Sequence, residues 1–177
     1  GYSPEDGVYF GDQTSSIDSR DGIVAKIKGL RVYAVDKEQH LVIPQAIPIG
    51  VGIKATYKKL KEIVGNPQNI KFIGMDMDDT ILGVKENKEP ETLDDRKDVL
   101  EVLIELVQKG IHLAVFTDNA SKVVIKRVLE PLNREIKNRG IKVKDNFMSL
   151  YACGMVVKIK VKADGSKEYE KEYSQNK

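Results

Sequence analysis

Short runs of apolar and β-branched residues alternate along the chain with segments whose apolar residues recur every three or four positions. The first pattern is typical of buried strands, and the second of helices that pack on a sheet. Strands are predicted at residues 8–10, 30–35, 70–75, 111–116 and 147–151, and helices at residues 53–64, 94–109 and 121–138. Because strands and helices alternate, the pattern indicates strand–helix–strand units and a parallel sheet.

Two segments depart from this alternation, and one helix is interrupted. Residues 36–52 contain two prolines and are predicted to be loop with at most one short strand. Residues 155–173 alternate around Asp164 and Gly165, a pair typical of a hairpin turn. Pro131 is expected to kink or split the last helix, because proline lacks the N–H that a helix interior needs.

Length, charge and cysteine content exclude several classes of protein. The 177 residues suit one domain, and a net charge of +2 gives no general attraction to nucleic acid or to a membrane surface. The single cysteine, Cys153, excludes an intramolecular disulfide and a cysteine-built zinc site. No apolar run approaches the ~18 residues of a membrane helix, and no signal-peptide pattern is present, so we expect a cytoplasmic protein.

Two carboxylates follow the strand at residues 70–75 directly. Asp76 and Asp78 lie two positions apart at the carboxyl end of that strand, which is where ligands bind in open α/β sheets. Such a pair could share a cation or divide the roles of nucleophile and general acid–base. Ligation by oxygen atoms alone favours Mg²⁺. An Asp-x-Asp sequence is also common in loops, so this pair does not establish a function by itself.

Polar residues also follow the next predicted strand. Thr117, Asp118 and Asn119 come directly after residues 111–116, and a helix is predicted to begin immediately afterwards. A hydroxyl group near a helix N-terminus is well suited to bind phosphoryl oxygens. Thr117, Asn119 or Ser121 could equally cap that helix, and the two roles are compatible.

Three motifs together resemble the haloacid dehalogenase-like hydrolase superfamily, most of whose members are magnesium-dependent phosphatases. Residues 73–80, IGMDMDDT, resemble its first motif, an apolar strand followed by Asp-x-Asp-x-Thr. Residues 114–119, AVFTDN, resemble its second motif, a strand that ends in threonine or serine. Residues 3–12, SPEDGVYFGD, resemble the approach to its fourth motif, which ends in Gly-Asp. The resemblance covers most of the chain.

The resemblance implies a Rossmann-like, three-layer α/β sandwich with a five-stranded parallel sheet. The motif order differs from that of the family, because the fourth motif precedes the first. We therefore predict a circularly permuted single domain over residues 1–177, in which 1–64 match the family's C-terminal part and 68–151 its N-terminal part. Residues 155–173 are interpreted as a small β-hairpin, the remnant of a cap. Two alternatives are a fusion of two such domains and a chain assembled from two pieces of a longer protein.

The permutation makes two geometric predictions. The strand before Asp12 should lie beside the strand before Asp76, because the fourth and first strands of the family are neighbours. The first and last residues should lie near each other beside the active site, because permutation is tolerated where the termini are exposed and close together.

The resemblance also implies roles for the individual site residues. Asp76 would attack the substrate phosphorus and become an aspartyl-phosphate. Asp78 would protonate the leaving alcohol and then activate the water that hydrolyses the intermediate. Thr117, Asp118 and Asn119 would contact the phosphorylated substrate, with Thr117 bonded to the transferring phosphoryl oxygens.

Mg²⁺ is the cofactor that the resemblance implies. It would be held by the side chains of Asp76 and Asp12 and by the backbone carbonyl of Asp78. A further acid usually follows the fourth-motif aspartate, and here Asp21 is favoured over Asp18 for that position. A cation is needed because a phosphate dianion and several carboxylates repel one another.

The predicted function is that of a magnesium-dependent phosphatase acting on a small phosphorylated metabolite, such as a sugar phosphate. A phosphomutase or phosphotransferase of the same superfamily and an inactive phosphate-binding scaffold domain are the alternatives. The scaffold gains weight from the third motif, a lysine with no secure match, for which Lys122 and Lys177 are only candidates. The short cap region leaves open both the substrate and the formation of a homo-oligomer.

Overall fold

The structure is a computed structural model that describes residues 2–12, 19–35, 46–153 and 157–171. Within these ranges eight strands form one sheet: β1 (Gly7–Gly11), β2 (Arg31–Ala34), β3 (Ala46–Pro48), β4 (Phe72–Asp76), β5 (His112–Phe116), β6 (Met148–Ala152), β7 (Val157–Val161) and β8 (Lys167–Lys171). The helices are α1 (Arg20–Val24), α2 (Gly52–Gly65), α3 (Lys97–Gln108), α4 (Ser121–Val124) and α5 (Glu130–Asn138). A π-helical turn, Ile125–Leu129, joins α4 to α5, and a 3₁₀ turn, Pro4–Asp6, precedes β1. None of the described helices has the length and apolar character needed to cross a bilayer.

The sheet is mixed, and its strands lie in the order β3-β2-β1-β4-β5-β6-β7-β8. The six strands from β3 to β6 in this order run parallel, whereas β7 is antiparallel to both of its neighbours, β6 and β8. The α/β class is confirmed. The prediction of a five-stranded parallel sheet with a separate hairpin as a cap remnant is wrong, because both hairpin strands belong to the same sheet.

Burial and edge protection explain why the hairpin joins the sheet. All five residues of β7 pair with β6, from Ala152 opposite Val157 to Met148 opposite Val161. Ile159 and Val161 are completely buried in the main core, so the apolar face of β7 continues that of β6. Without β7, the strand β6 would expose a row of unpaired backbone groups at the edge of the sheet.

The opposite edge of the sheet is extended by β3. This strand lies in the segment predicted to be loop with at most one short strand, and Ala46, Ile47 and Pro48 pair with β2. Proline is tolerated at this position because an edge strand makes no ladder hydrogen bonds on its outer side.

The main core lies on one face of the sheet. Alternate residues of the central strands, among them Ile73 and Leu113, pack there against Leu60 of α2, Leu103 of α3 and Leu132 of α5. On the other face a smaller apolar cluster joins β1, β2 and β3 to the end of α1. The described helix on that second face is therefore the short α1, which carries Arg20 and Asp21.

The first geometric prediction is confirmed. β1 and β4 are parallel neighbours in the middle of the sheet, with Phe10 opposite Met75. Asp12 follows β1 and Asp76 ends β4, so both acids lie at the carboxyl ends of these two parallel strands.

The second geometric prediction concerns Gly1 and Lys177, and neither is among the described residues, which start at Tyr2. The ring of Tyr2 contacts the rings of Phe72 and His112, which begin β4 and β5. Tyr2 therefore lies at the amino ends of the central strands, whereas Asp76 lies at their carboxyl ends. The 3₁₀ turn leads the chain into β1 from its amino end. Gly1 and residues 172–177 lie outside the described residues.

Candidate active site

The acidic residues lie where the strand order of the sheet reverses. From β4 the chain adds β5 and β6 on one side, whereas from β1 it adds β2 and β3 on the other. In open α/β sheets, ligands bind in the crevice that such a reversal leaves at the carboxyl ends of the strands. Asp76 and Asp12 border this crevice, one at the end of each central strand.

Backbone hydrogen bonds hold Asp76 beside Thr117. The ladder between β4 and β5 continues past the end of β4, because the N–H of Met77 donates to the carbonyl of Phe116 (3.0 Å). The N–H of Thr117 donates in turn to the carbonyl of Tyr151 (2.9 Å). The structure thus brings together the two strand ends that the sequence predicts to carry the chemistry.

An aromatic pair packs next to Asp76 on the same face of the sheet. Tyr9 and Phe116 meet edge to face across β4, with ring centroids 5.6 Å apart. Gly74 makes this possible, because a Cβ at that position would lie 2.8 Å from the Tyr9 ring. Residues two apart in a strand share a face, so the Asp76 carboxylate lies on the side of these rings and is only 6% exposed.

Asp21 reaches the site from the first turn of α1. The hydroxyl of Ser19 caps this helix by accepting the N–H of Gly22 (3.0 Å). The hydroxyl of Tyr9 donates to Oδ1 of Asp21 (2.6 Å), while Oδ2 lies against the α-carbon of Gly11, where a side chain would have no room. The buried Asp21 carboxylate is therefore held beside the end of β1.

Arg20 binds the predicted nucleophile, although it is absent from the predicted site residues. Its guanidinium forms an ion pair with Asp76, and its Nη1 lies 3.3 Å from Asp118 and its Nε 3.7 Å from Asp21. The buried Nε–H has no hydrogen-bond acceptor among the described residues. In the sequence, Arg20 is distinguished only by its position directly after Ser19, which caps α1. A surface arginine could occupy the same position, so the sequence does not identify Arg20 as a site residue.

Asp78 is held by a second arginine and by Asn119. Nη1 of Arg127 donates to Oδ1 of Asp78 (2.7 Å), and Nδ2 of Asn119 donates to Oδ2 (2.7 Å). Asn119 also donates to Oγ1 of Thr117 (3.0 Å), so it connects the two predicted motifs directly. The Asp78 side chain stays 48% exposed and can therefore reach a ligand in the crevice.

A π-helical turn places Arg127, the other residue missing from the predicted site. Pro131 has no N–H, so the carbonyl of Arg127 accepts the N–H of Leu93 instead (2.9 Å). Nε of Arg127 donates to the carbonyl of Glu91 (2.7 Å), which fixes the guanidinium toward the site. The sequence predicts that Pro131 kinks or splits this helix, and the structure instead has a π turn just before Pro131 in a helical segment that continues through it. An apolar repeat of 3.6 residues cannot indicate which polar side chain such a turn buries.

Carboxylates outnumber guanidinium groups among the described residues of the site. Burial raises the pKa of Asp76 to about 8, against the opposing effect of the Arg20 guanidinium, and the carboxylates of Asp21, Asp12 and Asp78 contribute to the rise. Arg20 pairs with Asp76 and lies 3.7 Å from Asp21, and Arg127 pairs with Asp78. Burial and the neighbouring carboxylates therefore disfavour the ionised form of Asp76 more than Arg20 favours it.

The carboxylates of the site suit Mg²⁺ chemically, although the described residues do not already form a complete set of metal ligands. The described part of the chain contains no group of three or more histidine, cysteine or acidic side chains already arranged around a metal position. Carboxylate oxygens with excess negative charge are the ligands that Mg²⁺ prefers, and Asp76, Asp12 and Asp21 would supply them. Of the two acids considered for the further ligand, Asp21 borders the site, and Asp18 lies outside the described residues.

Of the two candidates for the lysine of the third motif, only Lys122 is among the described residues, and it does not contact the carboxylates of the Asp-x-Asp sequence. Lys122 lines a cavity of about 340 Å³ with Pro90, Thr92 and Arg127, and within the described ranges it pairs with neither acid of the Asp-x-Asp sequence. Lys177 lies outside the described residues. In the described part of the chain, the cations that contact these two aspartates are both arginines.

Comparison with known proteins does not place the chain in a family. No family model, no curated protein and no solved structure matches it. The resemblance to the haloacid dehalogenase-like superfamily therefore depends on the three sequence motifs, and the function has to be argued from the site.

Proposed function

We propose that this protein is a magnesium-dependent phosphatase that hydrolyses a small phosphorylated metabolite. The observation that carries the proposal is the meeting of Asp76, Asp78 and Thr117 where the strand order reverses. A carboxylate nucleophile, a general acid–base and a hydroxyl donor are the groups needed for phosphoryl transfer through an aspartyl-phosphate.

Asp76 acts as the nucleophile in this proposal. Arg20 binds Oδ1 of Asp76, so the attack comes from Oδ2. A bond forms between Oδ2 and phosphorus while the bond from phosphorus to the leaving alcohol breaks. Asp78 gives its proton to the departing oxygen and then takes one from the attacking water. Hydrolysis restores the Asp76 carboxylate and releases inorganic phosphate.

Thr117 and Asn119 support the binding of phosphoryl oxygens. Oγ1 of Thr117 accepts the backbone N–H of Asn119 (3.1 Å) and its Nδ2–H (3.0 Å). Because both bonds use the lone pairs of Oγ1, the hydroxyl hydrogen of Thr117 is left to donate to a ligand. Asp118 lies at the exposed mouth of the crevice, where the rest of the substrate would pass.

Mg²⁺ would be held by the side chains of Asp76, Asp12 and Asp21 and by the carbonyl of Asp78. When bound, it would offset the repulsion between these carboxylates and an incoming phosphate dianion. The raised pKa of Asp76 supports this part of the proposal, because the neighbouring carboxylates of Asp21, Asp12 and Asp78 contribute to the rise even before a phosphate arrives.

A phosphate-binding domain without turnover is the second candidate function. One observation favours it, since Asp76 and Asp78 are each bonded to an arginine. A carboxylate oxygen that already accepts a hydrogen bond from a guanidinium is less available to attack phosphorus or to accept a proton from water.

The test is the release of inorganic phosphate from an aryl phosphate and from a panel of phosphorylated metabolites, with Mg²⁺ or with EDTA. We expect turnover to need Mg²⁺ and to fall by at least about a thousandfold in Asp76→Asn. Asp164→Asn, the same change in the exposed β7–β8 turn, is the matched control and should keep full activity. Hydrolysis that survives Asp76→Asn would refute the nucleophile, and phosphate binding without any turnover would favour the second candidate.

A further inference from the structure

We infer that Arg20 is the residue that binds the phosphoryl group of the ligand, and that Tyr9 and Asp21 are positioning residues that hold its guanidinium in reach. The inference rests on the proposed function, because it requires a phosphoryl group to approach Asp76. An arginine of α1 would then supply the positive charge that the third-motif lysine would otherwise supply, a position for which the sequence has no secure match.

The guanidinium lies where the ligand has to arrive. Nη2 binds the buried carboxylate of Asp76, and Nη1 lies 3.3 Å from the exposed carboxylate of Asp118. Arg20 thus spans the crevice from its buried end to its mouth. A phosphorus atom attacked by Asp76 comes within about 3–3.5 Å of that carboxylate, so its oxygens also come within reach of the guanidinium. The planar fork of arginine can bind two phosphoryl oxygens at once.

The anchor behind Arg20 is rigid, but it does not use up the donors of the guanidinium. Asp21 is fixed by the Tyr9 hydroxyl at 2.6 Å and by its contact with Gly11. Its Oδ1 lies 3.7 Å from Nε of Arg20, which is too far for a hydrogen bond. Asp21 therefore attracts the guanidinium by charge alone, and both terminal nitrogens stay directed toward the crevice.

Asp76 and a bound phosphate compete for the same guanidinium. In the structure the carboxylate occupies it. Neutralising Asp76 should therefore strengthen phosphate binding, because it releases Arg20 and removes a repelling charge. If the ion pair were only structural, the same substitution would leave binding unchanged or weaken it.

The experiment measures binding of inorganic phosphate by calorimetry at pH 9, where Asp76 is ionised in the unmodified chain, and in EDTA, so that no divalent cation contributes. Asp76→Asn should bind phosphate about tenfold more tightly than the unmodified chain. Adding Arg20→Gln to that variant should weaken binding by at least about tenfold, because a charge-assisted bidentate contact is lost. Tyr9→Phe, which keeps the ring and removes the hydroxyl, should weaken binding about threefold in the same background.

Two controls separate Arg20 from other cations. Arg139→Gln removes one positive charge from a surface pair with Glu101 and should leave phosphate binding within about twofold. Lys122→Gln tests the competing lysine, and a loss of binding there with none in Arg20→Gln would overturn the inference. If Arg20→Gln does not fold, Arg20→Lys gives the same comparison, because it keeps the charge but loses the fork.

Binding and hydrolysis give separable outcomes. Hydrolysis that depends on Asp76, together with phosphate binding indifferent to Arg20→Gln, would overturn the inference and leave the proposed function intact. Phosphate binding that needs Arg20 in a chain without hydrolytic activity would support the inference and refute the phosphatase. Failure of Asp76→Asn to tighten phosphate binding would refute the competition between carboxylate and phosphate.

Discussion

Replacing Asp76 by asparagine should make the protein more stable at neutral and alkaline pH in the absence of metal. The Asp76 side chain is buried, and its pKa rises from 3.8 to about 8 on folding. Between these values the unfolded chain has lost the proton while the folded chain retains it, so the free energy of unfolding falls as the pH rises. Asparagine has nearly the shape of the protonated acid and never carries the buried charge.

The difference between a pKa of 3.8 and one of about 8 corresponds to roughly 5 kcal/mol of lost stability at pH 8 and above. The pKa of about 8 already includes the attraction of Arg20 for the carboxylate, and relaxation and water entering the site reduce the cost of a buried charge further. We therefore expect a net stabilisation of about 1–3 kcal/mol at pH 8, which raises the Tm by about 2–12 °C for a chain of this size. Near pH 4 the gain should be small, because the acid is then protonated in the folded state and partly protonated in the unfolded state.

Thermal unfolding of both chains in EDTA, from pH 4.5 to pH 9, measures this effect. Asp118→Asn is the matched control, because its side chain is 82% exposed and contacts the same arginine. Its Tm difference from the unmodified chain should vary little with pH. Adding Mg²⁺ above pH 8 should raise the Tm of the unmodified chain more than that of Asp76→Asn. A stability difference for Asp76→Asn that does not grow from pH 4.5 to pH 8 would refute the view of Asp76 as a buried acid short of positive charge.

Three further substitutions test the packing around the site, each by urea unfolding. Gly74→Ala should cost about 1–3 kcal/mol, because the new Cβ would lie 2.8 Å from the Tyr9 ring, and an unchanged free energy of unfolding would contradict that close approach. Arg127→Met should cost about 1–3 kcal/mol by leaving Asp78 without its ion-pair partner, and a neutral result would mean that solvent already compensates the half-exposed acid. Leu103→Ala, fully buried in α3, should cost about 2–5 kcal/mol, and a smaller loss would argue against tight packing there.

The central part of the fold could be predicted from the sequence, but the edges of the sheet could not. Apolar runs such as residues 111–116 indicate buried strands, and Gly110 marks the end of the preceding helix. The alternation in residues 157–171 indicates a hairpin with one buried face, but alternation does not specify which strand lies next to it. Pairing of β7 with β6 depends on the free edge of β6, a property of the assembled sheet.

The acids of the site could be predicted because they follow strands directly. Asp76 and Thr117 lie at strand ends, and the parallel sheet brings such ends together. Arg20 and Arg127 could not be predicted in the same way, because each is defined by a partner carboxylate 56 and 49 positions away in sequence, respectively. A buried arginine is recognisable only once the group that neutralises it is known.

The neighbouring positions of β1 and β4 have a consequence for the order of folding. Arg20 and Asp76 are 56 positions apart in sequence, and they meet only after these two central strands have paired. Closing so long a loop loses much chain entropy before its contacts form, so this pairing is expected to follow the more local packing of α3 against β5. The carboxylates that repel one another most strongly would then come together last, when the rest of the core can already hold them in place.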